Sequence, residues 1–239
     1  MTWSIVAFDK ETGAFAAAVT TRAFAVGSRC PFVRAGVGAV CTQSISNWYL
    51  GPKILDLIER DVEPAAAIEV ALLGDEGRHL RQVHAVDRHG HSAAWTGRNC
   101  VEWAGDRPGE SFSVAGNMLV GAAVVDATFD TFLGGASLPL PERLLAALDA
   151  GQQAGGDRRG RQSAAMLLAT TEDYADLDFR VDDHAEPLVE MRRLLGIYRR
   201  DVVPQRPIRP TRANPSGETD LEVMEADWAS KGVELRFRR

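Results

Sequence analysis

A run of small residues, Ala14-Phe15-Ala16-Ala17-Ala18-Val19-Thr20-Thr21, sets the tightest limit on what this chain can fold into. It reads as the return arm of a hairpin whose first arm is residues 3–8. The loop between them, Asp9-Lys10-Glu11-Thr12-Gly13, carries the glycine and polar residues of a tight turn. A strand of alanines implies that other layers approach it closely on both faces. Period-two alternation sends Thr2, Ser4 and Val6 to one face of the first strand and Trp3, Ile5 and Ala7 to the other. Two hydroxyls therefore point the same way at the head of the chain.

The same periodicities carry the reading onward. Residues 23–35 read as irregular and 36–43 as a strand, while Gly51-Pro52 opens a helix to about residue 60. Glu63-Pro64 opens a second helix to Leu73. Strands at 81–87 and 92–97 flank the turn Arg88-His89-Gly90-His91. Further strands are expected at 111–119, 163–171 and 179–184, and helices at 121–132, 141–150 and 187–199. At Asp201 the composition changes: Pro204, Pro207, Pro210 and Pro215 alternate with Arg206, Arg209 and Arg212. The expected organisation is a domain over 1–200 followed by a Pro/Arg-rich arm over 201–239. That arm carries a short helix at 220–230 and a terminal segment at 233–236.

A net charge of −6 argues against general affinity for nucleic acid. No apolar run approaches the roughly 20 residues a membrane span needs, and no secretory leader is recognisable. Cys30, Cys41 and Cys100 lack metal-type spacing, so they read as buried thiols of a disulfide-free cytoplasmic protein. His84 alternates with apolar neighbours as a packed core histidine, and His89 and His91 read as exposed turn residues.

The chemistry concentrates in Gly155-Gly156-Asp157-Arg158-Arg159-Gly160-Arg161-Gln162-Ser163-Ala164-Ala165. Glycines permit close backbone approach, and guanidinium forks pair two-pronged with carboxylate or phosphate. The run is either an anion-gripping loop or a structural knot with Asp157 as its internal counter-charge. Asn117, in Gly116-Asn117-Met118-Leu119, either orients substrate and donates to an oxyanion or caps the helix that follows. Asp182, Asp183 and His184 form a possible metal set, set against strand-end acids that pair with the arginines at 158–161 or cap the next helix.

Taken in order, these stretches resemble the domain of unknown function 1028 family over residues 2 to about 199. The resemblance is carried by the opening Thr-Trp-Ser-Ile-Val-Ala-Phe-Asp and by Ala35-Gly36-Val37-Gly38-Ala39-Val40 before Thr42-Gln43. Tyr49-Leu50-Gly51-Pro52, Gly116 to Leu119, Gly155 to Ala165 and Arg180-Val181-Asp182-Asp183-His184 complete it. The resemblance implies an α+β fold of the N-terminal-nucleophile (Ntn) hydrolase kind, a four-layer αββα sandwich of two antiparallel sheets.

It also implies a mechanism in which the first residue's side chain attacks an amide and its free α-amine serves as base. Two residues fit: Thr2, freed by removal of Met1, and Ser4, which aligns Thr20-Thr21-Arg22 with a proteasome-type aspartate, serine and arginine. The pattern departs at Thr20, where the aspartate is expected, and in lacking the third-strand lysine, Arg34 being the nearest cation. The expected catalytic residues are thus Ser4 or Thr2 with Asn117. Arg22, Gln43, Asp157, Arg158, Arg159, Arg161, Gln162 and Ser163 are the substrate-binding set. The expected activity is hydrolysis of a small amide or peptide-like substrate without cofactor, by a homodimer that engages neither nucleic acid nor membrane. The alternative is a non-catalytic protein of the same fold that binds an anionic small molecule.

Overall fold

A computed structural model describes residues 2–233. Its core is two sheets in which every neighbouring pair is antiparallel. The six-stranded sheet is built from β1 (Thr2–Asp9), β2 (Ala14–Thr21), β7 (Gly105–Gly109), β8 (Phe112–Asn117), β9 (Ser163–Ala169) and β10 (Leu177–Val181), in the order β10-β9-β2-β1-β8-β7. The four-stranded sheet runs β3-β4-β5-β6, with β3 at Pro31–Arg34, β4 at Gly38–Ser44, β5 at Arg81–Asp87 and β6 at Ser92–Thr96. This mixed α/β architecture with two antiparallel sheets agrees with the sequence expectation.

Two strands depart from that expectation, both for the same reason. β3 lies inside the stretch read as irregular, and β7 (Gly-Asp-Arg-Pro-Gly) has no hydrophobic alternation at all. Each is an edge strand containing proline, where a missing N–H costs no ladder bond, so pairing with the neighbour defines them rather than their own side chains.

The inward side chains of the two sheets meet: Val6, Phe15, Ala17 and Val19 of the larger sheet pack with Ala39, Cys41 and Val86 of the smaller. All eight residues of β2 are buried, which is why its side chains are small. On the far side of the smaller sheet lie α1 (Leu50–Ile58) and α2 (Pro64–Leu73), packed over Val40, Val83 and Ala85. Leu50, Ile54, Leu55 and Ile58 make one apolar stripe of α1. Gly51 brings that helix against β3, since a Cβ there would meet the Phe32 ring at 2.3 Å.

On the Trp3 face of the larger sheet lie α3 (Ala123–Gly134) and α4 (Leu140–Gln153), which contact β8, β2 and β1. Gly151 of α4 fits between Thr128 of α3 and the Trp3 indole.

The chain divides into Met1–Met191 and Arg192–Arg239, the boundary falling within α5 (Pro187–Asp201). The sequence reading places its break at the other end of this helix. Within the second unit, Asp220 caps α6 (Leu221–Ser230) by accepting from Glu222 N, and Lys231 Nζ donates to the Pro204 carbonyl. The 233–236 segment lies outside the described residues beyond Val233. Among the described residues no helix is long and apolar enough to cross a membrane.

The Gly151 contact gives a stability test. A Cβ at Gly151 would sit 2.3 Å from Thr128 Oγ1 and 2.7 Å from Trp3 Nε1, whereas one at Gly134 meets nothing within 4 Å. Gly151→Ala is expected to cost about 1–3 kcal/mol. Gly134→Ala is expected to gain about 0.5–1 kcal/mol, and urea midpoints of the two variants check the opposite signs.

Candidate functional site

Alternation along β1 places Thr2, Ser4 and Val6 between the sheets, and register then aligns polar partners beside them. Thr2 pairs with Thr21 on one side and Asn117 on the other, and Thr21 pairs with Ser163. Asn117, Thr2, Thr21 and Ser163 therefore form one continuous row across β8, β1, β2 and β9. The Thr2 and Thr21 hydroxyls lie 3.0 Å apart. Ser163 Oγ donates to the Ala23 carbonyl at 2.6 Å and accepts from Val26 N, tying down the chain as it leaves β2. Thr20, aligned by sequence with a catalytic aspartate, pairs with Trp3 and so belongs to the opposite face from Thr2 and Ser4.

One row deeper, Ser4 is fully buried inside a chain of hydrogen bonds whose direction can be worked out. Gln82 Nε2 faces the carbonyl oxygens of Gly105 (3.1 Å) and Gly116 (2.8 Å), which can only accept. That fixes the amide, so Gln82 Oε1 accepts from Gln43 Nε2 and Asn117 Nδ2, both at 2.9 Å. Gln43 Nε2 also donates to the Ala115 carbonyl at 3.1 Å, leaving Gln43 Oε1 to accept the Ser4 hydroxyl at 2.8 Å. Having given its proton, Ser4 Oγ accepts from His84 Nε2 at 2.8 Å. A histidine activating a serine must accept the hydroxyl proton; here it donates to that oxygen. His84 Nδ1 and Asn117 Oδ1 are buried without a hydrogen-bond partner among the described residues.

His84, read from sequence as a core residue, is completely buried. It nonetheless contacts Ser4 and stands opposite Cys41 in the β4–β5 register. No local motif signals this arrangement; only the β4–β5 pairing and the stacking of the sheets bring these residues together. Burial pushes the Cys30 thiol well up, reinforced by its neighbour Cys41. Burial also pushes Cys41 up, but its neighbours, Cys30 first and then His84, outweigh it and bring Cys41 down to about 6. Neither thiol is open to solvent.

Around the Thr2 end, the Gly155–Arg161 loop serves partly as a knot. Buried Asp157 accepts from Arg22 N and Arg159 N, both at 2.8 Å, and bridges to Leu119. Gly155 and Gly156 take φ of +116° and +58°, and Gly156 O accepts from Val120 N. Arg159 leans on Asp157 at 3.4 Å and Arg161 pairs with Glu186. Arg158 is exposed and has no carboxylate partner among the described residues. Arg22 donates to Gln162 Oε1, whose Nε2 donates to Asp183.

The other sequence assignments resolve differently. Asn117 does not cap α3: the cap residue there is Ala122, without a side-chain bond. Asp182, just past the end of β10, pairs with Arg180 of that strand rather than with the 158–161 arginines, and His184 Nδ1 accepts from Glu186 N. Among the described residues no group of three His, Cys, Asp or Glu is placed to hold a metal ion, so Asp182, Asp183 and His184 do not gather as ligands. Arg34, the cation nearest the missing lysine in sequence, is neutralised by Asp56 and Glu59.

The smaller sheet contributes the opposite lip of this end. Arg81 grips Asp75 through Nε and Nη2 and donates Nη1 to the Ile45 carbonyl, while Asn47 Nδ2 also donates to Asp75. The Arg81 hydrogen bonds, opposed by partial burial and helped by Asn47 and Gly77, hold the Asp75 carboxyl at about 2.

A family model described as a family of unknown function (DUF1028) matches residues 2–191. Among solved structures, protein SPO2555 from Silicibacter pomeroyi, itself described under DUF1028, is 29% identical with a TM-score of 0.85. That match covers 92% of this chain and 96% of that one. Anbu, an ancestral β-subunit from Yersinia bercovieri, is similar at 10% identity and a TM-score of 0.41, over 82% of this chain and 94% of that one. No curated protein matches.

Two measurements follow from this geometry. Gln82→Met strips two donors and three acceptors of their partner, and is expected to cost about 3 kcal/mol or more in urea unfolding. Asp75→Asn is expected to cost about 1–3 kcal/mol at pH 6. Because the Asp75 pKa is depressed, its stabilisation is complete above its unfolded value near 4 and fades as pH falls through about 2. The gap between wild type and Asp75→Asn should therefore close between pH 4 and pH 2.

Proposed function

The chain belongs to the DUF1028 family, and from that footing we propose that it is an amide hydrolase with Thr2 as its nucleophile, on a four-layer αββα sandwich of the Ntn kind. One observation carries this choice: Thr2 heads the central strand β1 in a row with Asn117, Thr21 and Ser163, at the sheet end flanked by the arginine loop. Ser4 is the weaker nucleophile on two counts. It is sealed between the sheets, and His84 donates to it instead of drawing off its proton. Freeing Ser4 would also remove Trp3, which pairs with Thr20 and Gly116 and is buried against Gly151.

Removal of Met1, which lies outside the described residues, turns the Thr2 nitrogen into an amine. That amine takes the Thr2 hydroxyl proton as Oγ1 bonds to the substrate carbonyl carbon. The oxyanion is held by a backbone N–H and the Asn117 Nδ2 hydrogen left over from Gln82. Collapse breaks the C–N bond, the ammonium returns its proton to the leaving nitrogen, and water hydrolyses the resulting Thr2 ester. Thr21 orients the hydroxyl across 3.0 Å.

One observation favours a second reading, a binder of anionic small molecules. The lysines of the first unit are engaged elsewhere, Lys10 with Glu110 and Lys53 with the Ala71 carbonyl, so neither activates the Thr2 hydroxyl.

Intact mass of the purified native chain, before and after a β-lactone electrophile, decides between them. The expected result is a chain lacking Met1 with one adduct mapped to Thr2, the labelling rate falling about a hundredfold or more in Thr2→Ala. An adduct on Ser4 after loss of three residues would transfer the role to Ser4. Retained Met1 with no adduct would sink the amine mechanism and put the binder ahead.

A further inference from the structure

The Thr2 end of the molecule has a second lip whose composition goes beyond the arginine loop. Gln43 and Gln82 reach the Ala115 and Gly116 carbonyls, so the Ser44–Arg81 end of the smaller sheet faces the Asn117–Thr2–Thr21 end of the larger. The chain leaving β2 and the loop leaving β4 therefore border one mouth. On it stand Phe24, Trp48 and Tyr49, which are 60%, 53% and 86% exposed. Scattered exposed apolar side chains need no explanation, but three large aromatics on one rim mark an interaction surface. The two loops are joined by Arg29, whose guanidinium donates to the Phe24 carbonyl and lies 5.8 Å from the Trp48 ring centroid.

Charge on this mouth is equally one-sided. Arg22, Arg29 and Arg158 each lack a carboxylate partner among the described residues, although the whole chain carries −6. In contrast, Arg159 and Arg161 already have Asp157 and Glu186. An unneutralised guanidinium held beside an aromatic face is suited to a carboxylate with an apolar group next to it.

We infer that this mouth is a subsite for an N-acylated amino acid or peptide end with an aromatic side chain and a free carboxylate. Arg29 and Arg22 would grip the carboxylate, and Phe24 and Trp48 the ring. The inference rests on the Thr2 reading for the reaction it serves, the amide of such a ligand being the bond presented to Thr2. It does not depend on that reading for binding. Arg29, Phe24 and Trp48 carry no motif in the sequence; what singles them out is the exposure of the two rings and the contact that Phe24 and Trp48 each make with Arg29.

The test compares binding of N-acetyl-L-phenylalanine, N-acetyl-L-phenylalanine amide and N-acetylglycine to the native full chain by titration calorimetry, alongside β-lactone labelling. The carboxylate bearing the ring should bind at least about tenfold tighter than either comparison, one lacking the charge and the other the ring. Arg29→Gln, at a half-buried position, and Trp48→Ala, at an exposed one, should each erase most of that preference. If the three probes bind alike, or none binds while Thr2 is labelled, the subsite is wrong and the hydrolase reading survives. If the preference is seen without labelling, the subsite stands and the hydrolase reading falls.

Discussion

The two carbonyl oxygens of Gly105 and Gly116 can do nothing but accept, and both are turned toward the amide of Gln82 from the opposite sheet. From this constraint the orientation of the interior follows group by group. Gln82 must present oxygen to Gln43 and Asn117, Gln43 must present oxygen to Ser4, and Ser4 Oγ must then accept a hydrogen bond from His84. An unmet polar group in this position costs about 1–3 kcal/mol, so reversing one amide would strand several at once. The sheets are thus held by apolar packing in bulk and by a polar seam in register.

That seam also separates the two hydroxyls of β1, which are alike in sequence. Ser4 is absorbed into it, as donor and acceptor, and is fully buried. Thr2 lies one row out, paired with Thr21 and free of the seam's direction. Asn117 belongs to both rows: its Nδ2 is held by Gln82, and its position across from Thr2 places it at the edge of the candidate site.

Much of this fold was legible from period alone. The alanine strand β2, the Asp9–Gly13 turn, the Gln82–Thr96 hairpin and α2 all occur where alternation, turn residues and proline predict them. The edge strands β3 and β7 were not, because proline and short length leave them no pattern of their own. The candidate site was legible as residue types but not as geometry. Ser4 meeting His84 depends on two sheets stacking across eighty positions of sequence, and Arg29 lying over Trp48 depends on two loops meeting at a rim. The arginine loop was visible as a motif, yet only the folded structure divides its cations into Arg159 and Arg161, already paired with carboxylates, and Arg158, which has no carboxylate partner among the described residues.

The position of β1 between β2 and β8 has a further consequence, one of timing. Its hairpin with β2 can close once Thr21 is made, but the Asn117 partner of Thr2 is synthesised nearly a hundred residues later, and Ser163 later still. At ribosomal speed the head of the chain waits on the order of ten seconds before its second neighbour exists. During that interval Thr2 stands at the border of an unfinished sheet, with one strand neighbour in place of two. Once β8 docks, Thr2 is buried. The two flanks of β1 are therefore closed in an order that topology dictates, β2 at once and β8 only after most of the smaller sheet has been made.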